Sequence, residues 1–263
     1  MVRSEGEPNV ITFLTDYPGG FSDAEVAGLE EIAQALGLIV ELQSSRRVAR
    51  SLPETYVGPR TGERVLSGAI TRGSGETIQA VIWYCDLRGF TALADRLARE
   101  ELTALLNEYF EIMVGAVKTE GGEVLKFTGD GMLAILELCT GEDVSRCCRA
   151  ALRAAAAAMD AVDEANARRK AAGAAEIRYG LALHQGEVYY GNIGAPDRLD
   201  FTVIGPAVNH AERLEKIGAE LGRTLVTSAS FAAAAGEPME SLGRHQLRGV
   251  AEAQEVFAIG ADG

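Results

Sequence analysis

Apolar and polar positions alternate with two different periods along this chain, and the changes of period mark out its elements. Ala80 to Tyr84 is an unbroken apolar run ending at Cys85-Asp86, which has the length and composition of a buried strand. Leu105, Leu106, Tyr109, Phe110, Met113 and Val117 then recur every three or four residues. They form the apolar stripe of a helix that stops at Gly121-Gly122. Glu123 to Phe127 and Met132 to Leu136 flank Gly129-Asp130-Gly131, the signal of a hairpin. An alanine-rich helix is predicted from about Asp143 to Lys170. Ile177 to His184 and Glu187 to Tyr190 read as two strands, followed by a loop around Pro196-Asp197-Arg198. Phe201 to Ile204 is a further strand, a helix opens after Pro206, and the tail alternates strand, helix and strand. The order predicts an α+β sandwich with helices on one face of a mainly antiparallel sheet.

The first 78 residues have a different character. A short apolar run, Val10 to Leu14, meets the turn Asp16-Tyr17-Pro18-Gly19-Gly20. Ser22 with Glu25 three positions on predicts a capping box, and Phe21 with Val26 a hydrophobic staple across it. Leu29, Ile32, Leu36 and Ile39 follow at alternating spacings of three and four. This fits either a short coiled-coil seam or an amphipathic helix packed on its own domain. Gln43 to Arg50 turns polar and basic, and Pro53, Gly58, Pro59, Gly62 and Arg72-Gly73-Ser74-Gly75 predict a linker. The organisation read from this is a helical segment over 1–50, a linker over 51–78 and a main domain over 79–263.

Charge narrows the range of partners. With 38 acidic and 25 basic side chains the net charge is −13, which disfavours nucleic acid and anionic lipid surfaces. An anionic substrate therefore needs metal ions or a few well-placed cations. No apolar run approaches the roughly 20 residues of a membrane span, and the polar start lacks a secretory pattern. Cys85, Cys139, Cys147 and Cys148 lack metal-binding spacing and are read as reduced thiols of a cytoplasmic protein.

Two carboxylates carry the candidate chemistry. Asp86 ends a strand just before Leu87-Arg88-Gly89-Phe90-Thr91, which leads into a helix whose free N–H groups suit phosphate. Asp130 stands at the hairpin tip between two glycines that leave room around it. Alone, an aspartate at a strand end is more often a turn or cap residue. Together they could hold two divalent ions against substrate phosphates.

Three strings, taken in order, resemble class III adenylyl cyclase motifs. They are Cys85-Asp86-Leu87-Arg88-Gly89-Phe90-Thr91, Lys126-Phe127-Thr128-Gly129-Asp130-Gly131, and Phe201 through Arg213 (FTVIGPAVNHAER). The resemblance runs from about Gln79 to the C-terminus and implies a ferredoxin-like α/β sandwich of the class III cyclase type. It implies an adenylate cyclase that makes cyclic AMP and pyrophosphate from ATP with two divalent metal ions, Mg2+ or Mn2+. Asp86, Asp130 and the backbone carbonyl of Leu87 match the metal ligands. Asn209 and Arg213, four apart on one helix face, match the transition-state pair.

Lys126 and Thr202 match the purine-selecting positions: a donor and an acceptor suit N1 and the N6 amine of adenine. Gly89, Phe90 and Thr91 would lie at the phosphates, and Arg248 in Leu247-Arg248-Gly249 is a loose match to a further phosphate cation. His184 and His210 are read as packing or surface residues. The family's sites form between two chains, so a chain with the full set implies a homodimer with two equivalent sites.

Val10 to Gln43 also resembles the last strand and closing helix of a GAF-type sensory domain, a remnant too short to enclose a ligand pocket, so 1–50 is expected to be the end of a sensory-type domain from a longer protein or, over 22–50, a dimerising transmitter helix. The other readings are a guanylate cyclase, against which Lys126 speaks, and a silent nucleotide-binding or dimerisation module, against which the complete set speaks. A diguanylate cyclase would need a Gly-Gly-Asp/Glu-Glu-Phe loop that the chain lacks.

Overall fold

The structure is a computed structural model. It describes residues 10–68, 71–137, 144–195, 197–249 and 252–259, together with the backbone of 3–4 and 7–8. The chain divides into two compact units, Met1–Ser67 and Gly68–Gly263.

In the first unit, β1 (Arg3–Ser4) and β2 (Glu7–Pro8) pair, followed by α1 (Asp23–Val57) and α2 (Pro59–Leu66). The capping box forms as the sequence predicts. The Ser22 N–H donates to Glu25 Oε2 at 2.8 Å, and the Glu25 N–H reaches Ser22 Oγ at 3.4 Å. Val10 to Leu14, taken as a strand from the GAF likeness, has no regular structure. Phe13 instead joins Phe21, Val26, Leu29 and Ala33 around a shallow apolar pocket.

The stretch expected as a linker is mostly helical. α1 continues through Pro53 to Val57, and α2 packs back on it. Gly62 permits this approach, because a Cβ there would stand 2.9 Å from the Glu54 backbone nitrogen. Turn-forming residues marked a change of direction between helices, not an end to helix. No described helix is long and apolar enough to cross a membrane.

The second unit begins with β3 (Gly75–Leu87), α3 (Phe90–Arg96), α4 (Arg99–Thr119), β4 (Glu123–Thr128), β5 (Gly131–Glu137) and α5 (Val144–Ala171). It continues with β6 (Tyr179–Ala195), β7 (Arg198–Ile204), α6 (Pro206–Glu220), β8 (Leu225–Ser228), α7 (Ala229–Ala235), β9 (Glu240–His245) and β10 (Gln254–Ala258). One sheet has the order β4-β5-β3-β6-β8-β10-β9, with β7 also paired to β6. Every pairing in it is antiparallel except β6 with β8.

Alternation along β3 separates two cores. Val81, Trp83 and Cys85 face α4 and α5, burying Tyr109, Met113 and Ala151. Ala80 and Ile82 face the other way, against Ala207 and Ala211 of α6. Helices therefore cover both faces, not one as expected, because α6 carries its own small apolar stripe. A second correction concerns 177–190. Gln185 and Gly186 do not turn but pair with Val81 and Ala80, so β6 is one long strand. The alanine-rich helix is seen from Val144; Asp143, Cys139 and Pro196 lie outside the described residues.

Trp83 is fully buried between the sheet and α4. Trp83→Ala is expected to cost about 3–5 kcal/mol of stability of the second unit, measured by urea denaturation.

Candidate active site

The site begins where β3 ends. The β3–β5 ladder places Asp86 opposite Gly131, and the β3–β6 ladder places it opposite Gly180. The hairpin tip, Gly129-Asp130, closes over the same end of the sheet. Gly129 supplies the left-handed backbone of the turn, with φ of 75°. Gly131 leaves space: a Cβ there would be 3.0 Å from Asp86 Oδ1 and 3.0 Å from the Cys85 carbonyl.

The two aspartates meet. Asp86 is pushed up to about 7 by burial, then by the charge of Asp130 and its hydrogen bond, and then by Glu215. The Leu87 backbone N–H, which donates to the Asp86 carboxylate, pulls the other way. Asp86 Oδ1 is buried with no hydrogen-bond partner. Two carboxylates forced together, one with an orphaned oxygen, fit a hard divalent cation. No group of three His, Cys, Asp or Glu side chains among the described residues is arranged for a metal, so the Leu87 carbonyl is the candidate third oxygen.

The surroundings keep this corner rigid. The Tyr84 phenol is pushed up to about 12 by burial and by Asp86 and Glu212, and bonds to Thr128 of the hairpin. Behind Asp86, burial raises the Cys85 thiol to about 11, and it accepts a 3.3 Å bond from Trp83 Nε1. Cys85, Cys147 and Cys148 are buried and take no part in a disulfide. Gly89 takes a left-handed conformation with φ of 71° and opens α3. Phe90 is half-buried against the larger core, while Thr91 is exposed.

α6 starts with Pro206 at its first turn and carries the second group. Asn209 is exposed, and Arg213 lies against the turn after β9, its Nη2 3.6 Å from where a Cβ on Gly249 would stand. Arg248, the loosest of the sequence matches, directly precedes Gly249 in that turn. Between Asn209 and Arg213, His210 stacks on His184 of β6 at 4.3 Å and 7°. His184 Nδ1 bonds Ser228 Oγ at 2.8 Å. Burial lowers both imidazoles, His184 to about 3 with help from His210, and His210 also through Arg213. The stack is neutral and fixes the rotation of α6 about its axis.

Lys126 is exposed on β4, just past an irregularity in its pairing with β5 between Val124 and Lys126. Thr202 stands on β7 opposite Gly191, only 6% exposed, and its hydroxyl has no partner. Sequence reading missed Glu215 on α6, whose charge reaches Asp86 and which is 6% exposed. The available signal was Gly180 inside an apolar strand, which marks a close approach by another group.

Comparison with known proteins now adds the family. Residues 74–260 match the adenylate and guanylate cyclase catalytic domain. The chain belongs to this family. The chain is 25% identical over 252 residues to adenylate cyclase 1 of Rhizobium meliloti strain 1021, covering 94% of this chain and 38% of that protein. It is 32% identical over 162 residues to adenylate cyclase of Anabaena cylindrica, covering 60% of this chain and 31% of that one. The chain thus spans about a third of the length of these curated relatives.

A bacterial light-regulated adenylyl cyclase superposes with a TM-score of 0.70 at 25% identity, over 86% of this chain and 64% of that one. The guanylyl cyclase Cya2 superposes with 0.60 at 28% identity, over 70% and 92%. The α+β cyclase fold expected from the motifs is the fold observed.

Asp86 holds its proton more tightly folded than unfolded. In chelator, its contribution makes stability fall as pH rises from 3.8 toward about 7. Asp86→Asn removes that penalty. The variant is expected to exceed the native cyclase domain in stability at pH 8, with the gap closing near pH 4, by chemical denaturation in chelator.

Proposed function

We propose that this domain is an adenylate cyclase that converts ATP to 3′,5′-cyclic AMP and pyrophosphate as a homodimer. The observation that carries this reading is the Asp86–Asp130 pair, pressed together at one end of the sheet with an unpartnered carboxylate oxygen. Asp86, Asp130 and the Leu87 carbonyl would hold divalent metal ions, Mg2+ or Mn2+. When bound, such ions supply Lewis-acid activation of the ribose 3′-hydroxyl and offset charge on the departing pyrophosphate.

The chain's own residues do the rest. Asn209, exposed on the first turns of α6, orients the ribose. Arg213 stabilises charge on the α-phosphate as the 3′-oxygen bonds to phosphorus and the bond to the β-phosphate oxygen breaks. Arg248, just before Gly249, holds the outer phosphates, and the turn from Gly89 through Thr91 offers backbone N–H groups to them. Lys126 donates to adenine N1, and the unpartnered Thr202 hydroxyl accepts from the N6 amine. Guanine would set its N1–H against the lysine, so GTP is the poorer substrate.

A homodimer lets Asp86 and Asp130 of one chain face Lys126, Thr202, Asn209 and Arg213 of the other. Exposed apolar side chains close to these residues in sequence support a covered face: Phe127 is 52% and Ile204 49% exposed. In the first unit, Ile32, Leu36 and Ile39 remain 51%, 38% and 55% exposed, which supports α1 as a dimerising transmitter from an upstream sensory region. Deleting residues 1–50 is then expected to weaken dimerisation and lower specific activity, read by sedimentation and cyclic AMP yield.

Asp86→Ala should abolish cyclic AMP formation from ATP with either metal, and Arg213→Ala should lower kcat by about 10²–10³. Mixing these two inactive variants tests the shared site: mixed dimers carry one intact site and should regain activity. No regain from a dimer shown to exchange subunits would refute the shared arrangement.

A further inference from the structure

Glu215 and Arg88 are oppositely charged neighbours to which the proposed reaction gives no role. Glu215 lies on α6, six residues beyond Asn209, and is 6% exposed despite its charge. Arg88 directly follows Leu87. Its backbone N–H bonds the Arg178 carbonyl at 2.7 Å, and its guanidinium Nη2 donates to the Arg223 carbonyl, in the turn beyond α6. The two side chains meet over Gly180. A Cβ on Gly180 would overlap Glu215 Oε1 and stand 3.0 Å from Arg88 Nη2. Gly180 is also the ladder partner of Asp86. A strand position one would expect to carry a side chain is therefore bare, where a carboxylate and a guanidinium need the space.

The pair reaches the carboxylate site through Arg88. Arg88 is gripped by α6 and by the turn beyond it, which fixes the peptide between Asp86 and Arg88 and hence the Leu87 carbonyl. Glu215 sets its carboxylate beside the Arg88 guanidinium, over the bare Gly180 position. Its negative charge balances Arg88, which would otherwise put an uncompensated cation next to a cation site.

We infer that Arg88 and Glu215 are positioning residues for the metal-binding turn, anchoring it to α6 through the gap left by Gly180. The inference rests on the metal reading of Asp86 and Asp130. It has a further consequence in the homodimer: α6 presents Asn209 and Arg213 to the partner's site while its Glu215 braces the metal turn of its own chain.

The test titrates Mn2+ into the dimer and follows loss of the free-ion electron paramagnetic resonance signal. 3′-Deoxy-ATP, which has no hydroxyl to cyclise, is present at fixed concentration. Glu215→Gln is expected to weaken Mn2+ affinity about 10–100-fold, the usual effect of removing a group that orients a metal ligand. Arg88→Gln should weaken it too, and the double variant should lose far less than the product of the two, since both break one link. Gly180→Ala, which keeps every charge but evicts the carboxylate, should act like Glu215→Gln, and it replaces that variant if near-ultraviolet circular dichroism shows misfolding. Native Mn2+ affinity in Glu215→Gln and Gly180→Ala, with affinity lost in Asp86→Ala, overturns the positioning role and leaves the metal site standing. Unchanged affinity in Asp86→Ala overturns the metal reading itself.

Discussion

The long antiparallel pairing of β3 with β6 is the constraint on which this domain depends. It runs without interruption from Gly75 opposite Gly191 to Leu87 opposite Tyr179. At one end it delivers Asp86, with the bare backbone of Gly180 beside it. At the other, the two backbones approach so closely that a Cβ on Gly191 would stand 2.6 Å from Gly75 Cα, and β6 also pairs with β7, which carries Thr202. Register in a ladder with both faces buried cannot slip, because a shift by one residue would turn Trp83 toward α6 and Ile82 toward α4. The chemistry at the two ends is therefore held at a fixed distance by hydrogen bonds that involve no functional side chain.

Against this frame the electrostatics make sense. A chain of net charge −13 that concentrates Asp86, Asp130 and Glu215 at one corner is built to be uncomfortable without cations. The second group is arranged in the opposite sense. The Arg213 guanidinium lies against the turn at Gly249, and the His184–His210 stack, its imidazoles lowered by burial, adds no competing charge.

Much of this could be read in the sequence, because its signals are local. The Gly129-Asp130-Gly131 hairpin, the α4 stripe and the Ser22–Glu25 cap each depend on neighbours within a few residues. What failed to show was non-local. Gln185-Gly186 looked like a break between strands, yet pairing with Val81 and Ala80 carries β6 through it. Pro53 looked like the end of a helix, yet α2 packing through Gly62 keeps α1 going. The position of α6 on the second face followed from the alternation of β3, which only the sheet order reveals. Glu215 escaped notice for the same reason. On a helix wheel it is one more acid, and only Gly180, 35 residues earlier, shows why it is buried.

Gly131 bears on how such domains lose their activity over evolutionary time. Its missing side chain leaves room for the Asp86 carboxylate, and a single methyl would press on that oxygen at 3.0 Å and on the Thr128 hydroxyl of the hairpin at 2.9 Å. A descendant could therefore retain every acid, base and amide of the site, fold normally, and still be silenced by one small residue. Inventories of polar residues would count it as working. Whether a relative of this domain is a living enzyme or a relic is written as much in its glycines as in its aspartates.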